Sequence, residues 1–213
     1  MSEAAALARR LRPVVQDERV LRAIASLDRA RFVPAQERDR AYENVALPIG
    51  CEQTISQPLV VARMLEVLEL ASGDRVLDVG TGSGYHAALL AMLTGHVWTI
   101  ERHAELSRQA ADVVKRLGIS NVTFAIGDGS RGLLSQAPFD AINVAAATGE
   151  EVPRTLAEQL APGGRLVVPV GGRKQHLMLI RRTEHGFEEA LLEPVRFVPL
   201  VQDPDEDAPA DAE

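Results

Sequence analysis

Nine residues, Val76-Leu77-Asp78-Val79-Gly80-Thr81-Gly82-Ser83-Gly84, constrain this chain more than any other segment. An apolar run enters glycines at alternate positions and then a helical pattern, which reads as a strand, a tight turn and a helix. Glycines there let the backbone turn sharply and approach a ligand, while the helix start offers free N–H groups. A nucleotide-like guest is the implied occupant, although a purely structural turn would also use glycine.

The rest of the chain has the period of a parallel α/β fold. Short apolar runs alternate with amphipathic stretches, predicting strand 75–79, helix 84–93, strand 96–101, helix 103–117, strand 121–126, strand 139–145, helix 152–160 and strand 165–170. Runs 176–182 and 188–198, separated by Thr183-Glu184-His185-Gly186, read as an antiparallel hairpin at the sheet edge. Upstream, 3–12 and 18–27 have helical spacing, with Asp17 placed to cap the second helix. The stretch from Arg31 to Pro58, with three prolines, reads as a long irregular loop. Pro58 then opens a helix ending at Ser72-Gly73. The expected architecture is therefore Rossmann-like and doubly wound, a mostly parallel sheet with N-terminal helices and a C-terminal antiparallel hairpin.

Two further acids strengthen the ligand reading. Glu101 closes the next strand, seventeen residues beyond Gly84, where a carboxylate can accept hydrogen bonds from both ribose hydroxyls. Asp128, within Gly127-Asp128-Gly129, follows the third strand and can accept from an adenine amino group. Each alone reads as a solvated loop acid; three acids at successive strand ends line one crevice. A dinucleotide site would carry G-x-G-x-x-G, but Tyr85 stands at the last glycine's position.

Composition narrows the partners. Acids outnumber bases 30 to 23, yet six acids fall in the last thirteen residues, leaving 1–200 nearly balanced at 24 against 23. With eight aromatics and no basic excess, nucleic acid is not an expected partner. Cys51 is the only cysteine, which excludes an intrachain disulfide or a CxxC knuckle and suits a reducing compartment. No uninterrupted apolar run resembles a secretory h-region or a bilayer span, so a cytoplasmic protein is expected. His86 and His96 lack an H-x-x-x-H partner and read as structural or solvated, with no metal site expected. The acidic segment 201–213 is expected to be disordered after a single domain over 1–200, made of helices and an active-site loop (1–70) and the core (75–200).

The G-x-G-x-G motif, the strand-end Glu101, the strand Pro138-Phe139-Asp140-Ala141-Ile142 and the segment Leu160-Ala161-Pro162-Gly163-Gly164-Arg165-Leu166 resemble the class I S-adenosylmethionine-dependent methyltransferases. Ala46-Leu47-Pro48-Ile49-Gly50, Gln53-Thr54-Ile55-Ser56-Gln57-Pro58, Gly80 to Tyr85, Gly127-Asp128-Gly129 and Arg196-Phe197-Val198-Pro199-Leu200 more closely resemble the protein-L-isoaspartate O-methyltransferase family, from about Val20 to Leu200. The chain departs from that pattern at Cys51 and Glu52 and at Asn143 to Thr148.

The resemblance implies methyl transfer from S-adenosyl-L-methionine, leaving S-adenosyl-L-homocysteine, to the free α-carboxylate of L-isoaspartyl residues in damaged proteins. The ester then closes to a succinimide and repair begins. It assigns Ser56 to the substrate carboxylate, although a serine before a Pro-initiated helix also reads as a cap. It assigns Thr54, Ile55, Asp78, Gly80, Thr81, Gly82, Ser83, Gly84, Glu101, Asp128 and Gly129 to the cofactor. Partners are isoaspartyl proteins and peptides, with the enzyme expected as a monomer away from membranes. A Ser-His-acid hydrolase is disfavoured because no G-x-S-x-G elbow surrounds Ser56.

Overall fold

The computed structural model describes residues 2–203. Helices α1 (Glu3–Leu11) and α2 (Glu18–Ser26) pack against each other; the Ser2 hydroxyl accepts from the Ala5 N–H at 3.2 Å, and Asp17 caps α2 through the Arg19 N–H. Two 3-10 turns, Arg29–Phe32 and Ala35–Arg40, lead into a small antiparallel hairpin of β1 (Leu47–Gly50) and β2 (Gln53–Ile55). The stretch 31–58 is thus built, not irregular. Helix α3 (Pro58–Val67) follows and ends five residues before Ser72, because Glu69 already takes a left-handed conformation at φ 47°.

From there the alternation holds, with β3 (Arg75–Val79), α4 (Tyr85–Leu93), β4 (His96–Glu101), α5 (Ala104–Arg116), β5 (Val122–Ile126), β6 (Phe139–Val144), α6 (Arg154–Glu158), β7 (Leu160–Val170), β8 (Gln175–Thr183) and β9 (Gly186–Val195). The seven-stranded sheet runs β5-β4-β3-β6-β7-β8-β9. Pairs from β5 through β7 are parallel, and β7–β8 and β8–β9 are antiparallel, as the edge hairpin requires. Helix α6 is shorter than the apolar run 152–160 implied, because Leu160 already pairs with Phe139 and a register shift follows before Arg165 rejoins the ladder.

Strand alternation sends Val76, Val97, Ala141 and Val167 into a core shared with α1–α4, and Leu77, Val79, Trp98, Ile142 and Val168 into a second core on the other face. Eight of the nine α4 residues are buried, so this helix is packed on all sides and holds the glycine turn rigidly. The chain leaves β3 toward β4 on one side and later toward β6 on the other, which opens a crevice at the carboxyl ends of those strands. Beyond β9, the Ala147 N–H donates to the Val198 carbonyl at 2.8 Å and the Leu200 N–H to the Ala147 carbonyl at 2.7 Å. These bonds draw the C-terminal segment back over that crevice. Residues 201–203, expected as the start of the acidic tail, belong to it; the remainder of the tail lies outside the described residues.

No helix among the described residues is long and apolar enough to cross a membrane.

Candidate active site

The crevice holds a cleft of about 360 Å³, within the size range typical of small-molecule sites. Three walls form it. The glycine turn contributes Gly80, Thr81, Gly82 and Ser83; the β2 segment contributes Thr54, Ile55 and Ser56; the returning C-terminal segment contributes Val198 to Val201. Glu101 and Gly129 complete it, so nine of the twelve residues singled out from sequence meet at one place.

Glu101 is only 6% exposed, and its two oxygens hold two turns at once. One accepts the Gly82 N–H at 2.9 Å, the other the His103 N–H at 3.0 Å. The carboxylate therefore braces the glycine turn while facing the cleft. Gly129 is required by packing, since a Cβ there would lie 2.5 Å from Val79 Cγ1.

Three of the residues singled out from sequence, Asp78, Gly84 and Asp128, do not line the cleft. Asp78 does not reach the cleft: it is fully buried, accepting from Asn143 Nδ2 and Thr99 Oγ1, each at 2.8 Å. Thr99 in turn shares a 2.6 Å hydrogen bond with Thr81. Asp78 thus supports the glycine turn from behind, and burial, only partly offset by these hydrogen bonds, pushes its carboxyl up to about 6. Gly84, at φ 85°, serves packing, because a Cβ would sit 2.9 Å from Ala110 Cβ on α5. Asp128 lies beneath the C-terminal segment, its oxygens accepting the Ser130 N–H at 2.8 Å and the Asp203 N–H at 2.9 Å. Burial opposes its ionisation, but these hydrogen bonds and the Arg131 guanidinium keep its carboxyl below the usual range. Arg102 secures the same segment, donating to the Val201 carbonyl at 3.1 Å and to Asp203.

The helix-cap reading of Ser56 does not hold. Gln57 occupies the cap position of α3 without a side-chain bond, and Asn44 Oδ1 instead accepts the Leu59 N–H at 3.0 Å. The Ser56 hydroxyl is left for the cleft. Sequence reasoning missed Tyr85 and His86, which line the cleft from the first turn of α4. Both are buried, and Tyr85 Oη and His86 Nε2 have no hydrogen-bond partner. Burial pulls the imidazole down to about 4, with nearby Arg29 acting in the same sense against a hydrogen bond to Val61. An apolar helical pattern conceals such residues, since periodicity places them in the core.

This donor set suits a nucleoside carrying a charged tail. Backbone turns and a strand-end carboxylate face polar groups, while Val79, Ile100 and Leu200 offer apolar surface to a base. Among the described residues, no cluster of three or more His, Cys, Asp or Glu is arranged to hold a metal.

The chain is similar to known proteins over most of its length. Residues 3–205 match the family model for protein-L-isoaspartate(D-aspartate) O-methyltransferase. The chain is 52% identical over 192 residues to a protein-L-isoaspartate O-methyltransferase of Roseiflexus castenholzii, covering 90% of this chain and 88% of that one. It is 50% identical over 190 residues to that of Paracoccus denitrificans, covering 88% of each. Among solved structures, one protein-L-isoaspartate O-methyltransferase aligns with a TM-score of 0.84 at 30% identity, covering 92% of this chain and 65% of that longer one. A Plasmodium falciparum structure described as a putative protein-L-isoaspartate O-methyltransferase in complex with S-adenosyl-L-homocysteine aligns at 0.83 with 26% identity, covering 95% of this chain and all of that one. With its glycine turn, strand-end carboxylate and Ser56 segment gathered around one cleft, and with about half of the aligned residues identical to these relatives, the chain belongs to the protein-L-isoaspartate(D-aspartate) O-methyltransferase family of S-adenosylmethionine-dependent enzymes.

Proposed function

We propose that Ser56 orients the α-carboxylate of an isoaspartyl residue in this cleft, and that Glu101 and the turn Gly80 to Ser83 hold the methyl donor beside it. The observation carrying this reading is that Ser56, free of any capping role, lines the same cleft as Glu101. An isoaspartyl residue is linked through its side-chain carbonyl, so its α-carboxylate is free. S-adenosylmethionine, when bound, supplies a methyl carbon on a sulfonium. A carboxylate is already ionised at neutral pH, so no residue here has to remove a proton; alignment of the oxygen with the methyl carbon is what the site must provide. Thr54 and Ile55 form the wall beside that line of approach. Asp128, next to Gly129 of the cleft wall, is the acceptor proposed for the adenine amino group.

The reading extends to a monomer working in the cytoplasm on proteins rather than nucleic acid, with residues 1–200 as one catalytic domain. The lone, exposed Cys51 and the near balance of charge over those residues support it. The test is incubation with labelled S-adenosylmethionine and one peptide in isoaspartyl and normal aspartyl forms. Base-labile methyl ester on the isoaspartyl form alone is expected; equal or no labelling would refute the proposal.

A further inference from the structure

Arg29 is the one lysine or arginine in the buried class among the described residues, with no exposed surface at all. Its Nε donates to the Ala41 carbonyl at 2.8 Å and its Nη2 to the Ser56 carbonyl at 3.0 Å. The guanidinium carbon stands 5.0 Å from the centre of the Tyr85 ring. Nη1 has no hydrogen-bond partner, and no carboxylate among the described residues forms an ion pair with the group. The adjacent Asp28 is committed elsewhere, to the Ala30 N–H, the Tyr42 hydroxyl and Arg31.

A buried cation answered only by carbonyls and a ring face is costly to keep. Burial pulls its pKa down to about 10, which still leaves it charged at neutral pH. The group it touches is informative: its Nη2 holds the backbone of the residue assigned to the substrate carboxylate. Tyr85, under the guanidinium, and its neighbour His86 line the cleft with Ser56, and each keeps a buried polar atom unpartnered. Arg29 does not itself line the cleft, so its charge acts on a carboxylate bound there from behind the Ser56 backbone and the Tyr85 ring. Methylation then removes the negative charge of that carboxylate, because the carboxylate oxygen becomes an ester oxygen as the sulfonium becomes a neutral thioether.

We propose that Arg29 is a positioning residue that fixes the Ser56 backbone and supplies the buried positive charge by which the site selects an ionised carboxylate over its neutral forms, the methyl ester product included. This rests on the reading of Ser56 above. Such an attraction acts on the bound carboxylate and is absent for the neutral ester, so it favours substrate over product.

Binding, not turnover, provides the test. With S-adenosyl-L-homocysteine saturating, an isoaspartyl peptide and the same peptide bearing an α-carboxamide are titrated into wild type, R29Q and R29K. Wild type is expected to prefer the carboxylate by about tenfold or more, the scale of a unit charge acting through a short span of poorly polarisable protein, with the preference falling below about threefold in R29Q and persisting in R29K. Affinity for S-adenosyl-L-homocysteine should be the same in all three. A wild-type enzyme without preference, or R29Q retaining it in full, overturns the proposal. Should R29Q not fold, R29K losing the preference at wild-type affinity for S-adenosyl-L-homocysteine overturns it equally. A Ser56→Ala variant that still methylates normally would instead refute the Ser56 assignment, so the two failures are distinguishable.

Discussion

Glu101 combines two tasks in one carboxylate, bracing Gly82 and His103 while facing the cleft. Glu101→Ala should therefore lower affinity for S-adenosyl-L-homocysteine about tenfold to a hundredfold and cost about 1–3 kcal/mol of stability, since two N–H groups lose a charged acceptor. Calorimetric titration of the folded variant checks the first effect and urea unfolding the second. Unchanged affinity would rule out the ribose assignment. Ser56 presents the opposite case, because its hydroxyl caps nothing. Ser56→Ala should leave both stability and cofactor binding near wild type while slowing methyl transfer by about a hundredfold, the scale of a misaligned reactant. Activity close to wild type with the isoaspartyl peptide would refute its role. The contrast with Asp78 shows what residue-level reading can miss: a strand-end acid looks the same in sequence whether it faces a ligand or a buried Asn143 and Thr99.

At the level of elements, the βα alternation was legible because each strand and helix carries its own hydrophobic period. The β1–β2 hairpin was not, and its turn explains why. Cys51 and Glu52 occupy the two-residue loop at φ 48° and 58°, with Gly50 paired to Gln53. Loops of that shape announce themselves as Asn-Gly or Asp-Gly; Cys-Glu carries no such signal, so the segment reads as irregular. The pairing is held from outside instead, by Leu47 and Ile55 in the core and by Arg29 on the Ala41 and Ser56 carbonyls. Likewise, α3 ends at a left-handed Glu69 where sequence offered Ser72-Gly73 as the stop. Two left-handed non-glycine residues in one turn are unfavourable by about 1–2 kcal/mol each. The double variant C51N/E52G is accordingly expected to raise the melting temperature by about 2–4 °C, a net gain near 1 kcal/mol after the added freedom of glycine in the unfolded chain. Thermal unfolding followed by circular dichroism measures it, and a lowered transition would mean that the side chains of Cys51 and Glu52 contribute more than their backbone strain.

Across the whole molecule, two buried groups beside the glycine turn couple stability to pH in opposite directions. His86 is depressed by burial to about 4 from an ordinary 6.5. Its contribution is complete above pH 6.5 and is lost as pH falls toward 4, because the unfolded chain takes up the proton first. Asp78 is raised by burial to about 6 from 3.8. Its contribution is complete below pH 3.8 and is lost as pH rises through 6, since the unfolded chain ionises first. Between about pH 4 and 6 the unfolded state holds one proton more at His86 and one fewer at Asp78, so the two slopes cancel. Asp17, Asp128 and Glu193, all held below their ordinary values, act at lower pH and equally in every variant. His86→Gln should expose the Asp78 slope, with stability falling as pH rises from 4 to 6 by up to about 1.4 kcal/mol per pH unit. Asp78→Asn should expose the opposite slope, whatever its absolute stability. Urea unfolding at intervals across this range separates the cases: curves parallel to wild type would mean that neither group changes its proton affinity on folding, and the account of both would fail together.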